Sequence, residues 1–389
     1  MKGENKSELQ DIIRGSLIGG AVGDALGYAV EFFNRNFIVR KYGENGITSY
    51  KLSNGKALIS DDTQMTLFTA NGLLVGETRG KLRGIMGNPS IYVEHAYHDW
   101  YLTQTSSMDD VNSHERYTKE GGFSWLLDVP DLYSRRAPGN TCLSALSEDR
   151  DRNGSYIEPP INNSKGCGGI MRVAPLAMLY RDIGLTTLDK EAAQIAAITH
   201  GHSLGYIPAA VLTHILARLL TDGTSDLKEI IQDAMQTVSE LFKDDAHLQE
   251  LVDIIDLAVV LSENNRTDIE NIEYIGEGWV AEETLAIAIY CALRYQTDFS
   301  KAIIASVNHS GDSDSTGAVT GNIVGAICGY NGIEEKWKTD LELKDIILEI
   351  ADDLVSGCEA DGYETDVDPK WKAKYIHMHQ YQNPGPSEK

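Results

Sequence analysis

Basic side chains are scarce in this 389-residue chain: 34 Lys and Arg stand against 58 Asp and Glu, a formal net charge of −24. Nucleic acid is excluded as a bulk partner, because phosphate binding needs a basic surface. An anionic membrane surface is excluded on the same ground. A small anion remains admissible where metals or backbone amides supply local positive potential, and a basic protein partner is favoured. Cysteine is also sparse. Cys142, Cys167, Cys291, Cys328 and Cys358 form an odd set without C-x-x-C spacing. That speaks against a disulfide framework or a zinc site and for a reducing compartment. The opening "MKGENKSELQ" is polar, so no signal peptide is expected. No run is expected to supply the roughly 20 apolar residues of a membrane span; the most apolar candidate, "GSLIGGAVGDALGYAV", contains Asp24. A cytoplasmic protein is the expectation.

Strand-like alternation is scarce too. Helical patterns cover 8–29, 63–76, 90–103, 170–181, 189–200, 205–221, 226–241, 247–262, 280–295, 299–307, 316–330 and 343–354. The chain reads as all-α. Ser7 and Gln10 are spaced as a weak capping box for the first helix. Two helices carry glycine at every fourth position: Gly15, Gly19, Gly23 and Gly27, then Gly317, Gly321, Gly325 and Gly329. Each glycine inside a helix costs up to about 1 kcal/mol against alanine. Four on one face call for a compensation, and close approach of another backbone is the simplest. Packed together, the two helices would bring residues 24 and 314 into one neighbourhood and make the chain a single domain. The expected architecture is a single-domain orthogonal helical bundle over 1–360, with glycine-striped central helices. Residues 104–165 are polar and turn-rich and read as a loop-rich insert over a cleft, and 361–389 as a peripheral C-terminal tail.

Three segments place acids and hydroxyls in short order: "GDALGYAVEF" with Asp24 and Glu31, "ISDDTQMT" with Ser60, Asp61, Asp62 and Thr63, and "HSGDSDST" with Asp312, Asp314 and Ser315. Carboxylates this close repel unless water or a cation separates them. Any one such turn is ordinarily a solvated loop or a helix cap. Three, flanked by glycine-striped apolar helices, fit a hard divalent cation bound by oxygen, with two facing turns and Glu31 able to hold two ions. "NSKGCGGIMRVAP" supplies a loop, Gly166, Gly168 and Gly169, whose amides can form an anion nest before a helix start. It is neither a Walker loop nor part of a βαβ unit. No partner for Cys167 as a nucleophile is evident. His200 and His202 stand at a helix end in "THGHSLGY".

Taken in order, "GDALGYAVEF", "SDDT", "SKGCGGIMRVAPLA", "THGHSLGY" and "HSGDSDSTGAVTGNIVGA" resemble the ADP-ribosylglycohydrolase family over about residues 10–335. The resemblance implies an all-α domain with a two-metal cleft holding magnesium or manganese. Its metal ligands would be Ser60, Asp61, Asp62, Asp312, Asp314 and Ser315, and its catalytic carboxylates would come from Glu31, Asp61, Asp62 and Asp314. Its diphosphate loop would be Ser164, Lys165, Gly166, Cys167, Gly168 and Gly169, with His200 near the distal ribose and phosphates. The implied reaction is hydrolysis of the bond between ADP-ribose and a modified protein side chain. The D-S-D-S-T form resembles the arginine-specific branch more than the serine-specific one. The expected partners are an ADP-ribosylated protein and ADP-ribose. A different class of function, a non-catalytic protein that neutralises an ADP-ribosyltransferase, would suit the acidity. A two-metal phosphoesterase is a third reading.

Overall fold

The computed structural model describes residues 3–113, 123–148, 155–222, 226–360 and 367–377. Among these the chain is helical throughout, and the only β pairing consists of isolated bridges such as Ala57 to Leu341 and Gly166 to Val280. The glycine stripes explain the centre. Helices Gly3–Tyr28 and Ser313–Gly332 lie antiparallel with their backbones in contact. A Cβ placed on Gly15, Gly19 or Gly23 would fall 2.3, 2.3 or 1.9 Å from the carbonyl oxygens of Gly325, Gly321 and Gly317. The same test on Gly27 meets the Ser313 carbonyl at 2.1 Å. Only the last glycine departs from the expected stripe. Gly329 takes a left-handed φ of +68° and kinks the helix, its backbone against Gly15 and its open face against the Asp11 carboxylate.

Both acid-bearing helices begin earlier than their apolar pattern suggests. One runs Asp61–Arg83 and the other Ser313–Gly332, so their aspartates occupy the first turns. Carboxylates there meet unpaired amides and the positive helix end. Ser60 caps the first, its side chain accepting from the Asp62 amide at 3.2 Å. Asp312 caps the second, accepting from the Ser315 amide at 3.2 Å. At the N-terminus the expected capping box is not made. That helix already runs from Gly3, and Gln10 donates to Asp352 at 2.8 Å. A complete capping box stands instead at Thr267 and Glu270, opening a helix, Asp268–Ile275, that periodicity did not reveal.

The helix Ser203–Thr221 corrects the expectation about apolar runs. It is long and apolar enough to span a membrane, but 78% of its apolar window is buried inside the fold. The insert contributes short helices, Met108–Ser113 and Asn140–Leu146, and two 3-10 turns; its residues 114–122 and 149–154 lie outside the described residues. In the expected tail, 361–366 and 378–389 likewise lie outside them. Between these the helix Pro369–Tyr375 buries Trp371 and Tyr375, and the Trp371 indole donates to Thr78 at 3.0 Å.

The central contact is directly testable. Alanine normally stabilises a helix relative to glycine by about 1 kcal/mol. Here Gly19→Ala or Gly321→Ala forces two backbones apart and is expected to destabilise by about 1–3 kcal/mol or more, read by urea denaturation. A gain in stability would show that the helices do not touch.

Candidate active site

A single buried carboxylate links the central helix to the first acid turn. Asp24, fully buried, accepts from the Ser60 amide at 2.9 Å, the Thr63 amide at 3.1 Å and the Thr63 hydroxyl. It acts as a long-range cap for helix Asp61–Arg83. Burial lifts its pKa to about 6, against the pull of these donors. The loop 135–139 closes over the same turn. The Arg136 carbonyl accepts from the Asp61 amide at 3.1 Å, and the Asp61 carboxylate accepts from the Gly139 amide at 3.4 Å. Arg136 itself is clamped by buried Glu342 through contacts of 3.0 and 3.2 Å. Between these anchors Ala137 adopts φ +54°, a left-handed conformation that is costly for a residue with a side chain.

The second acid turn faces the first across a cleft of about 500 Å³. Glu31, Asp61, Asp62, Asp312, Asp314 and Ser315 all line it, as do Gly166, Cys167, Gly168 and His200. Ser60, Ser164 and Lys165 do not. Ser60 is buried behind the turn, Ser164 accepts from the Gly166 amide at 3.4 Å, and Lys165 is turned away into an ion pair with Glu282. The acids feel one another. Burial first, then Asp312, Asp61 and Asp24, push Glu31 up to about 9. Asp61, Asp62 and Asp314 are raised well above their ordinary value by burial and by the neighbouring carboxylates. Ser315, on the second turn, opposes part of the rise at Asp62.

Opposite the acids, the loop Gly166–Gly169 rests on His200. A Cβ on Gly168 would fall 2.8 Å from the imidazole. Two amides of this loop are already engaged: Gly166 donates to Ser164, and Cys167 donates to the Trp279 carbonyl at 3.3 Å. The Cys167 thiol donates to Asp312 at 2.8 Å, and burial with that carboxylate raises its pKa well above normal, which disfavours a thiolate nucleophile. Beneath His200 lies Arg172, fully buried, donating to Thr199 at 2.6 Å and stacked over Tyr97 at 4.3 Å. Burial and this guanidinium depress His200 to about 3, so it stays neutral at physiological pH. His202 points elsewhere, capping the next helix through its Nδ1. His309, three residues before Asp312, is held by Ser306, Ser310 and Thr316 and is structural.

The donor set suits a hard divalent cation. It is all oxygen, and Glu31 Oε2 and Asp62 Oδ2 are buried without a hydrogen-bond partner. Among the described residues no three acids, histidines or cysteines are drawn into a finished coordination shell. The fit therefore rests on the orphaned oxygens and the mutual repulsion.

A family-wide sequence profile described as ADP-ribosylglycohydrolase matches residues 5–364. The chain is 25% identical to the ADP-ribosylarginine hydrolase Tri1 of Serratia proteamaculans, over 90% of this chain and 80% of that protein. It is 25% identical to the ADP-ribosyl-[dinitrogen reductase] glycohydrolase of Rhodospirillum rubrum, over 86% of this chain and 92% of the relative. The match to bovine ADP-ribosylhydrolase ARH3, at 27% identity, spans 46% of this chain and 54% of that protein. A solved ADP-ribosylglycohydrolase-related protein complex superposes with TM-score 0.61 at 24% identity, over 90% of this chain and 99% of the other, and shares the fold.

Neutral, buried His200 carries a pH prediction. Its folded pKa of about 3 lies below the ordinary 6.5. The unfolded chain therefore binds the extra proton, and stability is lost as pH falls from about 6.5 towards 3, with a slope of up to about 1.4 kcal/mol per pH unit. Urea denaturation between pH 6 and 4 is expected to show a shallower loss in His200→Gln than in wild type. Parallel slopes would contradict the assignment.

Proposed function

The chain belongs to the ADP-ribosylglycohydrolase family, and from that premise we propose that it removes ADP-ribose from arginine side chains of modified proteins with two divalent cations, magnesium or manganese. One observation carries the reading: two acid turns, separated by some 250 residues, meet with Glu31 in one cleft below a glycine loop. The D-S-D-S-T form of the second turn favours arginine, and the name of the Serratia relative agrees.

Asp61, Asp62, Asp312, Asp314 and Ser315 would hold the cations, with Ser60 behind them keeping a second lone pair free. Bound there, divalent cations would supply Lewis acidity towards the ribose hydroxyls and the attacking water. The chain's own residues do the rest. The glycine loop and His200 position the diphosphate, the imidazole as a neutral hydrogen-bonding group. Buried Arg172 adds positive potential beneath them. The bond that breaks joins the ribose anomeric carbon to a guanidine nitrogen, through an oxocarbenium-like state. The bonding pair leaves with the guanidine, and the water oxygen bonds the anomeric carbon. The proton given up by water passes to one of the carboxylates on the cleft wall, Glu31, Asp61, Asp62 or Asp314, and from there to the departing guanidine nitrogen.

Purified protein with magnesium or manganese is expected to release ADP-ribose, identified by mass spectrometry, from an arginine-linked peptide. Chelation is expected to abolish the release. The Asp61→Ala, Asp312→Ala double variant is expected to lose at least ~100-fold in rate. Release of no ADP-ribose from the arginine-linked peptide would sink the proposal, whether or not serine or another linkage is cleaved. A double variant that still protects an acceptor from an ADP-ribosyltransferase at a one-to-one ratio would favour the non-catalytic alternative.

A further inference from the structure

Two aromatic rings stand exposed on the wall of this cleft. Phe32 is 70% exposed and Trp279 40%, the largest apolar surfaces at its mouth. Their centroids lie 6.3 Å apart with planes 25° from parallel. Exposed aromatics occurring singly need no explanation. These two face each other, and one of them is held by unusual machinery. The turn carrying Trp279 needs left-handed glycines at Gly276 and Gly278. The Glu283 carboxylate accepts the amides of Glu277 and Gly278, both at 3.0 Å. The Glu277 carbonyl accepts the Asp312 amide at 2.8 Å, and the Trp279 carbonyl accepts the Cys167 amide at 3.3 Å. Trp279 is thus stitched to the second acid turn and to the glycine loop at once. Phe32 follows Glu31 directly in the chain. The pair therefore sits at the carboxylate end of the cleft, where the scissile bond of the proposed reaction would lie, with the leaving acceptor beyond it.

We propose that Phe32 and Trp279 form the acceptor cradle, taking the flat guanidinium of the modified arginine and so setting the preference for that linkage; this rests on the arginine reading above. A guanidinium is planar and weakly hydrated and stacks on aromatic faces. Laid against the exposed ring faces, rather than inserted between rings only 6.3 Å apart, it lies within the ~6 Å cation–π range. A serine linkage offers neither plane nor charge to these rings.

The test uses the full chain with Phe32→Ala, Trp279→Ala and the ring-preserving Trp279→Phe. On an arginine-linked peptide each alanine variant is expected to lose about 5–30-fold in kcat/KM. Trp279→Phe is expected to recover most of that loss, and ADP-ribose affinity by calorimetry to stay within about twofold of wild type. Loss of ADP-ribose affinity in step with kcat/KM would assign the rings to the nucleotide and overturn the inference. So would an equal loss on a serine-linked peptide, or unchanged kinetics in both alanine variants. A wild-type chain inactive on arginine-linked peptide fails the functional reading itself, and is told apart from these outcomes by the wild-type assay alone.

Discussion

Backbone contact between helices Gly3–Tyr28 and Ser313–Gly332 is the constraint on which the site depends. Carbonyls of one helix occupy the space where side chains of the other would be. Nothing larger than hydrogen fits at these glycines, and Ser16 and Asn322, hydrogen-bonded across the same seam at 2.8 and 2.9 Å, fix the register with them. That register fixes Asp24 close to the Ser313–Thr316 turn. Asp24 then captures the amides of Ser60 and Thr63, and with them the start of helix Asp61–Arg83. Three segments distant in the chain are thereby brought to one place, and the stability lost to interior glycines goes into positioning carboxylates.

Electrostatics sets the second condition. A chain of net charge −24 buries six acids around one cleft. Helix starts, capping amides and the hydroxyls of Thr63 and Ser315 offset part of the cost. The raised pKa of Glu31, Asp61, Asp62 and Asp314 shows that they do not offset all of it. Carboxylates perturbed in this way often serve chemistry when the same groups face a cavity. Divalent cations would reverse the local sign and let an anionic nucleotide enter an acidic protein.

Much of this was legible in the sequence. The glycine spacing was a steric signal, and it pointed to a packed pair because close approach of another backbone is the simplest compensation for so many glycines. The acid turns were legible because each sits where an apolar pattern starts. What stayed hidden depended on tertiary contact. Asp24 stood in the first acid-bearing segment without an assigned partner; only the fold gives it Ser60 and Thr63. The Arg136–Glu342 clamp joins residues 206 positions apart and carries no local pattern. Lys165 belonged to a plausible phosphate loop, yet the nearby Glu282 draws its side chain away from the cleft. Phe32 and Trp279 are 247 positions apart and share no sequence pattern; only the fold brings their rings to 6.3 Å.

In the proposed function the glycine-bound helices present two oxygen-rich turns to shared cations. Anomalous scattering from crystals grown with manganese tests it most directly. The account predicts strong peaks between the turns, with oxygens of Asp61 or Asp62 on one side and of Asp312 or Asp314 on the other. Manganese bound to one turn alone, or only elsewhere on the surface, would contradict it.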